Sequence, residues 1–249
     1  AEVAANFPGI SNYIGKMKPV KHPYYKITAT SHASGSNLQS IISAANVDHI
    51  AQTFAFIEFA LERNLTGAMT VDLGRSFSKF NGATILHDQH DVGTLISTVL
   101  TSLYYRAIMG CTLELKKTLV GLNLFDKTVL HFASEFSRTP KGDGSGSDHG
   151  PQNTSATIIS GMIKEPQLIG NILKQHSSVA SRKKYPGTYG LAAPTIAENG
   201  KKRDIYNDDI INTLSEMLGV RTVAVKGVSL VKKTGSVVRL AKKWELKNV

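Results

Sequence analysis

The sequence predicts an α/β protein, a three-layer α/β/α sandwich built on a mainly parallel sheet. Short apolar runs alternate along the chain with stretches of helical periodicity, the pattern of strands joined by crossover helices. One run, KTVLHFAS at 127 to 134, is continuous enough to read as a strand buried on both faces. Polar segments follow two of the strand signals, and open parallel sheets hold their ligands at such carboxyl ends.

Residues 1 to 36, with Pro8, Pro19 and Pro23, are expected to be irregular or extended, apart from a strand signal in YYKITAT. From Leu38 the residues Ile41, Ile42, Ala45, Ile50, Phe54, Ile57, Leu61 and Leu65 keep helical spacing until Gly67 stops it. AMTVDLG at 68 to 74 reads as a strand, and ATILHDQHD at 83 to 91 begins as one and turns polar, with Asp91 placed to cap a helix. That helix is the clearest element: Val92, Ile96, Val99, Leu103, Ala107, Cys111, Leu115 and Leu119 recur every three or four residues, and Gly121 lies near its end. After KTVLHFAS comes SEFSRTPKGDGSGSDHGPQ at 134 to 152, a turn-rich stretch without helical or strand periodicity, and then a strand signal in SATIISGMI. Residues 165 to 205 are rich in Pro, Gly and Lys and are expected to be mostly loop. A short helix comes next, with Asn207 as N-cap, Asp208 and Asp209 in the first turn, Ile210, Ile211, Leu214 and Leu218 inside, and Gly219 as its stop. The predicted organisation is an irregular segment at 1 to 36, an α/β domain at 37 to 226, and a basic extension at 227 to 249.

At 249 residues and 41% apolar the chain can bury a core, which excludes wholesale disorder. It begins with Ala rather than Met, the mark of processing or of a longer product, and it has no run of eighteen apolar residues, so no transmembrane segment is expected. Cys111 is the single cysteine and falls on the apolar face of its helix, as a small core residue would. The net charge of +10 is uneven: residues 181 to 203 carry six basic residues against Glu198, and 221 to 249 carry eight against Glu245, which leaves a mildly acidic remainder. Basic peripheral segments on such a body read as solvated charge; they can hold polyanions non-specifically, whereas specific nucleic-acid binding is not expected.

Two polar strand ends carry the chemistry. Asp88 and His90 stand two apart, so in extended chain their carboxylate and imidazole project to one side. In the second segment Asp148 and His149 are adjacent beside glycines, able to share one metal or to serve two, and Glu135 adds a carboxylate. Mixed carboxylate and imidazole donors without thiolate suit Zn, Mn, Fe or Mg in a catalytic setting. Arg138 either holds Glu135 or offers its guanidinium fork to an oxyanion. The same residues also have a purely structural reading, as turn residues bonded to nearby backbone and a plain Glu135 and Arg138 ion pair. His131 falls within an apolar strand and reads as a core residue; His87 faces away from its candidate neighbours.

The 134 to 152 segment resembles the Glu-Phe-Gly-Arg-Thr, glycine turn, Asp-His-Gly signature of the DUF1501 family, secreted bacterial proteins related to the alkaline phosphatase and sulfatase superfamily. LHDQHD resembles that family's Asp-x-His segment, and DDIINTLSEMLGV its closing helix. Ser137 stands where the family usually has glycine. The resemblance spans about residues 37 to 220 and implies an alkaline-phosphatase-like fold, a periplasmic or extracellular location, and a divalent metal held by Asp88, His90, Asp148 and His149, with Glu135 and Arg138 in catalytic support. Family members are longer, and in the wider superfamily the N-terminal half supplies further ligands and the nucleophile; the resemblance does not extend to such a half, so a partial active site is expected. The expected function is metal-dependent hydrolysis of a small oxyanion ester, a phosphate or sulfate. The alternative is a non-catalytic envelope or extracellular assembly protein whose partner is another protein chain, oligomerisation included.

Overall fold

The computed structural model of the chain describes residues 48–73, 77–80, 83–86, 90, 94–134, 138–140, 145–149, 155–169, 171–173, 191–193, 195–198, 201–221 and 226–241. The chain divides into two compact units, Ala1–Leu122 with Asp143–Ser147, and Asn123–Gly142 with Asp148–Val249.

The first unit is organised by two helices, α1 (Asp48–Glu62) and α2 (Thr94–Gly121), packed against each other. Helix α1 buries Ile50, Ala51, Phe54, Ala55 and Ala60, and α2 buries Ala107, Ile108, Cys111, Leu115 and Leu119. These positions recur at three- and four-residue intervals, so each helix hides one stripe, and the alanines in α1 permit close approach. Thr118 Oγ1 donates to Glu58 Oε2 at 2.8 Å across the pair, and the buried Thr112 hydroxyl is satisfied by the Ile108 carbonyl at 2.7 Å. Residues 68–73 form no strand, contrary to the reading of AMTVDLG. The Thr66 hydroxyl donates to the Ala68 carbonyl at 2.6 Å and accepts from its N–H at 3.2 Å, a local bond that competes with strand pairing. Strand β1 (Phe77–Phe80) pairs antiparallel with β2 (Ala83–Leu86), Phe77 opposite Leu86.

The second unit holds β3 (Leu130–Ala133), paired antiparallel with β6 (Ala156–Ile159), and between them in the chain β4 (Arg138–Pro140), paired with β5 (Ser147–His149), whose first residue is counted with the first unit. The expected loop at 165 to 205 contains β7 (Asn171–Leu173) paired with β8 (Leu191–Ala193), and β9 (Thr195–Glu198), which pairs with β10 (Lys201–Asp204). Helix α3 (Asn207–Leu218) follows, and then the hairpin of β11 (Val231–Thr234) and β12 (Val237–Leu240). One cluster joins Met162, Met217, Val231 and Val238 with half-buried Val129, Ile158 and Ile163; another surrounds Leu230 with Ile169, Ile205, Ile210, Val228 and Ala241. Part of the segment predicted to be a basic extension is thus packed into the core, since its apolar residues Leu230, Val231 and Val238 are all buried.

Helix α3 begins one residue earlier than its sequence suggests. Tyr206 is the N-cap, and Asp209 at the third helical position accepts from the Tyr206 N–H through Oδ2 at 2.9 Å. Gly219 ends the helix at φ 69° and ψ 27°, the left-handed conformation that glycine adopts without a Cβ clash. Gly227 has a different role: a Cβ there would collide with the backbone of Asp208 and Asp209, so only glycine lets this segment lie against the helix start.

The predicted three-layer sandwich on a mainly parallel sheet is not what forms. Among the described residues there are three α-helices and only two-stranded sheets, and the registered pairs are antiparallel. The strands run three or four residues. Strand β3 alternates half-buried and exposed side chains, so it has one solvent face instead of the two covered faces of a parallel-sheet strand. An apolar run does not encode strand direction, and here KTVLHFAS finds its partner through an antiparallel return. No helix among the described residues is long and apolar enough to cross a membrane.

Candidate functional site

Within the polar stretch after β3, expected to be a turn-rich loop, two short segments pair as strands. Strand β4 begins at Arg138, and β5 ends with Asp148 and His149, so the pairing holds the guanidinium-bearing strand beside the one carrying the carboxylate and imidazole. Adjacent strands lie about 5 Å apart, within reach of long side chains. Along β5 burial falls from buried Ser147 through half-buried Asp148 to exposed His149. Successive side chains of a strand leave on opposite faces. Asp148 and His149 are therefore disposed to serve different faces of the ribbon.

His90 is a half-buried turn residue between β2 and α2 in the first unit, whereas Arg138, Asp148 and His149 belong to the second. Asp88 and Glu135 lie outside the described residues. Among the described residues no three His, Cys, Asp or Glu side chains gather to hold a metal ion. Asp148 and His149 supply the oxygen and nitrogen donors a borderline divalent ion accepts, but two ligands on opposite faces do not make the three that a catalytic zinc site uses. Any full set needs donors beyond this strand pair.

His131 is exposed on the solvent face of β3 and is not the core residue its apolar neighbours suggested; partial shielding of its ring lowers its pKa. In the first unit, burial and, secondarily, the nearby Asp72 carboxylate raise the Tyr104 phenol to about 12. Burial, with a smaller contribution from Glu114, likewise raises the Cys111 thiol to about 12, so this thiol is protonated and inert at neutral pH, as its place in the helix stripe suggested. A shallow groove of about 620 Å³ runs along α2 beside Leu113, Glu114, Lys117 and Val120, where Lys117 and Glu114 pair at 3.2 Å. It brings together no nucleophile and base.

Asp209, placed by the sequence only as a dipole-favoured residue of a helix's first turn, is a buried polar anchor. It is 1% exposed, and its two carboxylate oxygens accept from the backbone N–H groups of Tyr206 and Val228, each at 2.9 Å. Its role is architectural: it fastens the 226–230 segment to the start of α3. Comparison with protein-family models, with curated proteins and with solved structures gave no match.

Proposed function

We propose that the chain is a divalent-metal-dependent hydrolase of phosphate or sulfate esters, of the DUF1501 type, acting in the periplasm or outside the cell. The observation that supports this reading is the β4 and β5 ribbon, in which the strand opening with Arg138 is paired to the strand closing with Asp148 and His149. Arg138 then offers two parallel N–H donors to the ester oxyanion, a geometry that a lysine could not reproduce. Asp148, the half-buried member, would supply an oxygen donor to a divalent ion on its face of the strand, and His149 a nitrogen donor on the other face. The family resemblance names Asp88, His90 and Glu135 as further site residues; His90 belongs to the first unit, and Asp88 and Glu135 lie outside the described residues. A metal bound there would polarise the transferring group's oxygen; the residues themselves orient the ester.

Elemental analysis of protein purified without chelator, together with turnover of p-nitrophenyl phosphate and p-nitrophenyl sulfate, tests this. Bound metal near one equivalent or more, with turnover abolished by chelation and by Asp148→Ala, is expected. Metal below about a tenth of an equivalent, a level at which a site is effectively empty, with no turnover of either ester, overturns it.

A second reading, a non-catalytic envelope or extracellular assembly protein, is favoured by the outer side of α2. There Tyr105, Met109, Leu113 and Val120 are exposed along one stripe, with Tyr105 at 59% and Leu113 at 61%. Sedimentation of the chain and of Leu113→Glu separates the two: a parent oligomer that the variant dissolves, with no turnover, supports assembly.

A further inference from the structure

The β11 and β12 hairpin has two chemically distinct faces. Val231 and Val238 point inward and are buried, and Lys233 on the same side reaches the end of α3, where its ammonium donates to the Met217 carbonyl at 2.6 Å. Lys232 and Arg239 point outward, exposed and directly opposite one another in the register, with exposed Thr234 beside them. Like charges directly opposite across a ribbon destabilise it. A Lys and Glu pair would serve the hairpin better, yet from 219 to 244 the chain has seven basic residues and no acidic one. Among the described residues no carboxylate forms an ion pair with either side chain, so the pair is open to an anion from outside the hairpin.

We infer that this outer face is a contact surface for the phosphate backbone of nucleic acid, bound without regard to base sequence. Charge density selects the partner. Cross-strand neighbours sit about 5 Å apart at Cβ, which matches a polymer carrying one charge per roughly 1.7 Å of duplex axis better than a mixed bilayer in which charged lipids are diluted by neutral ones. The face carries no exposed aromatic ring for base stacking and no Asn or Gln to read a base edge, since its side chains are Lys232, Thr234, Val237 and Arg239. It can therefore hold phosphates and nothing else of the duplex.

The test is fluorescence anisotropy of the full chain with labelled DNA duplexes of two unrelated sequences, titrated across salt concentrations. Equal affinity for both is expected, with a steep salt dependence whose log–log slope falls by about two, one per lost phosphate contact, in Lys232→Ala with Arg239→Ala. Lys232→Arg with Arg239→Lys keeps the parent slope. Lys117→Ala with Lys127→Ala removes the same net charge elsewhere and leaves the slope unchanged. Removing an exposed repulsive pair does not cost folding, and Lys232→Gln with Arg239→Gln repeats the loss with polar length kept. The inference is overturned by an equal fall in slope in the Lys117 and Lys127 variant, by preference for one duplex sequence, or by binding to phosphatidylserine vesicles without binding to DNA.

Discussion

Replacing Asp209 by alanine strips two acceptors from the point where α3 meets the segment that leads into the β11 and β12 hairpin. The carboxylate is buried, and the Tyr206 and Val228 N–H groups it receives, each at 2.9 Å, are themselves partly buried. A hydrogen bond to a charged group contributes about 1.5 to 3 kcal/mol, and partial access of water to the two donors argues for the lower end, so the loss is about 3 kcal/mol. For a unit of this size each kcal/mol lowers the melting temperature by about 4 °C, which puts the expected fall near 12 °C. Asp209→Asn retains one acceptor oxygen and should cost about half as much. Thr213 supports the same junction, donating to the Asp209 carbonyl at 2.7 Å and accepting from the buried Leu230 N–H at 2.9 Å. Thr213→Val should therefore destabilise by about 1 to 2 kcal/mol, and less than additively with Asp209→Ala, because both release residues 228–230. Circular dichroism melts give the energies, and amide exchange at Val228 and Leu230 locates them. A shift under about 0.5 kcal/mol, the level of an ordinary surface substitution, or an unchanged Val228 amide would refute the clasp.

Gly227→Ala places a Cβ against the Asp208 backbone, and overpacking of this kind should cost about 1 to 3 kcal/mol in the same melts; a neutral result would mean that the segment does not press on the helix. The Cys111 thiol, raised from its ordinary 9.0 to about 12, should react with a disulfide reagent only after urea is added, and prompt labelling of native protein would contradict its burial. Because the folded pKa lies above the unfolded one, this group's contribution to stability is complete below pH 9 and is lost as the pH rises from 9 to 12. Cys111→Ala should flatten that alkaline loss in part, leaving the share of Tyr104, which is shifted in the same direction.

Helices were legible because burial repeats with their period. Cys111, Leu115 and Leu119 are buried where the spacing placed them, and Gly219 takes the left-handed stop expected of it. Strand partnership was not, since KTVLHFAS is equally apolar whether its neighbour runs parallel or antiparallel. The short strands between 171 and 204 were hidden by a composition that suits loops, although Asn199-Gly200 between β9 and β10 is a pair that tight hairpin turns select. Asp208 and Asp209 look alike in sequence, both favourable to the helix dipole; only the approach of Val228 makes the second a buried anchor. At the candidate site, the residue types at 138, 148 and 149 were readable, but the pairing that joins their strands was not, because glycine and serine mask the alternation a strand normally shows.

Lys233 touches helix α3 twice, its backbone N–H donating to Glu216 Oε1 at 3.1 Å and its ammonium to the Met217 carbonyl, while Asp209 fastens the helix's other end. The helix is thus held at one end by the segment leading into the hairpin and at the other by the hairpin itself. Such an arrangement gains little by half-opening: freeing the hairpin bares both helix ends, and unwinding the helix strands the lysine. The two should behave in exchange experiments as one foldon, sharing a single opening free energy.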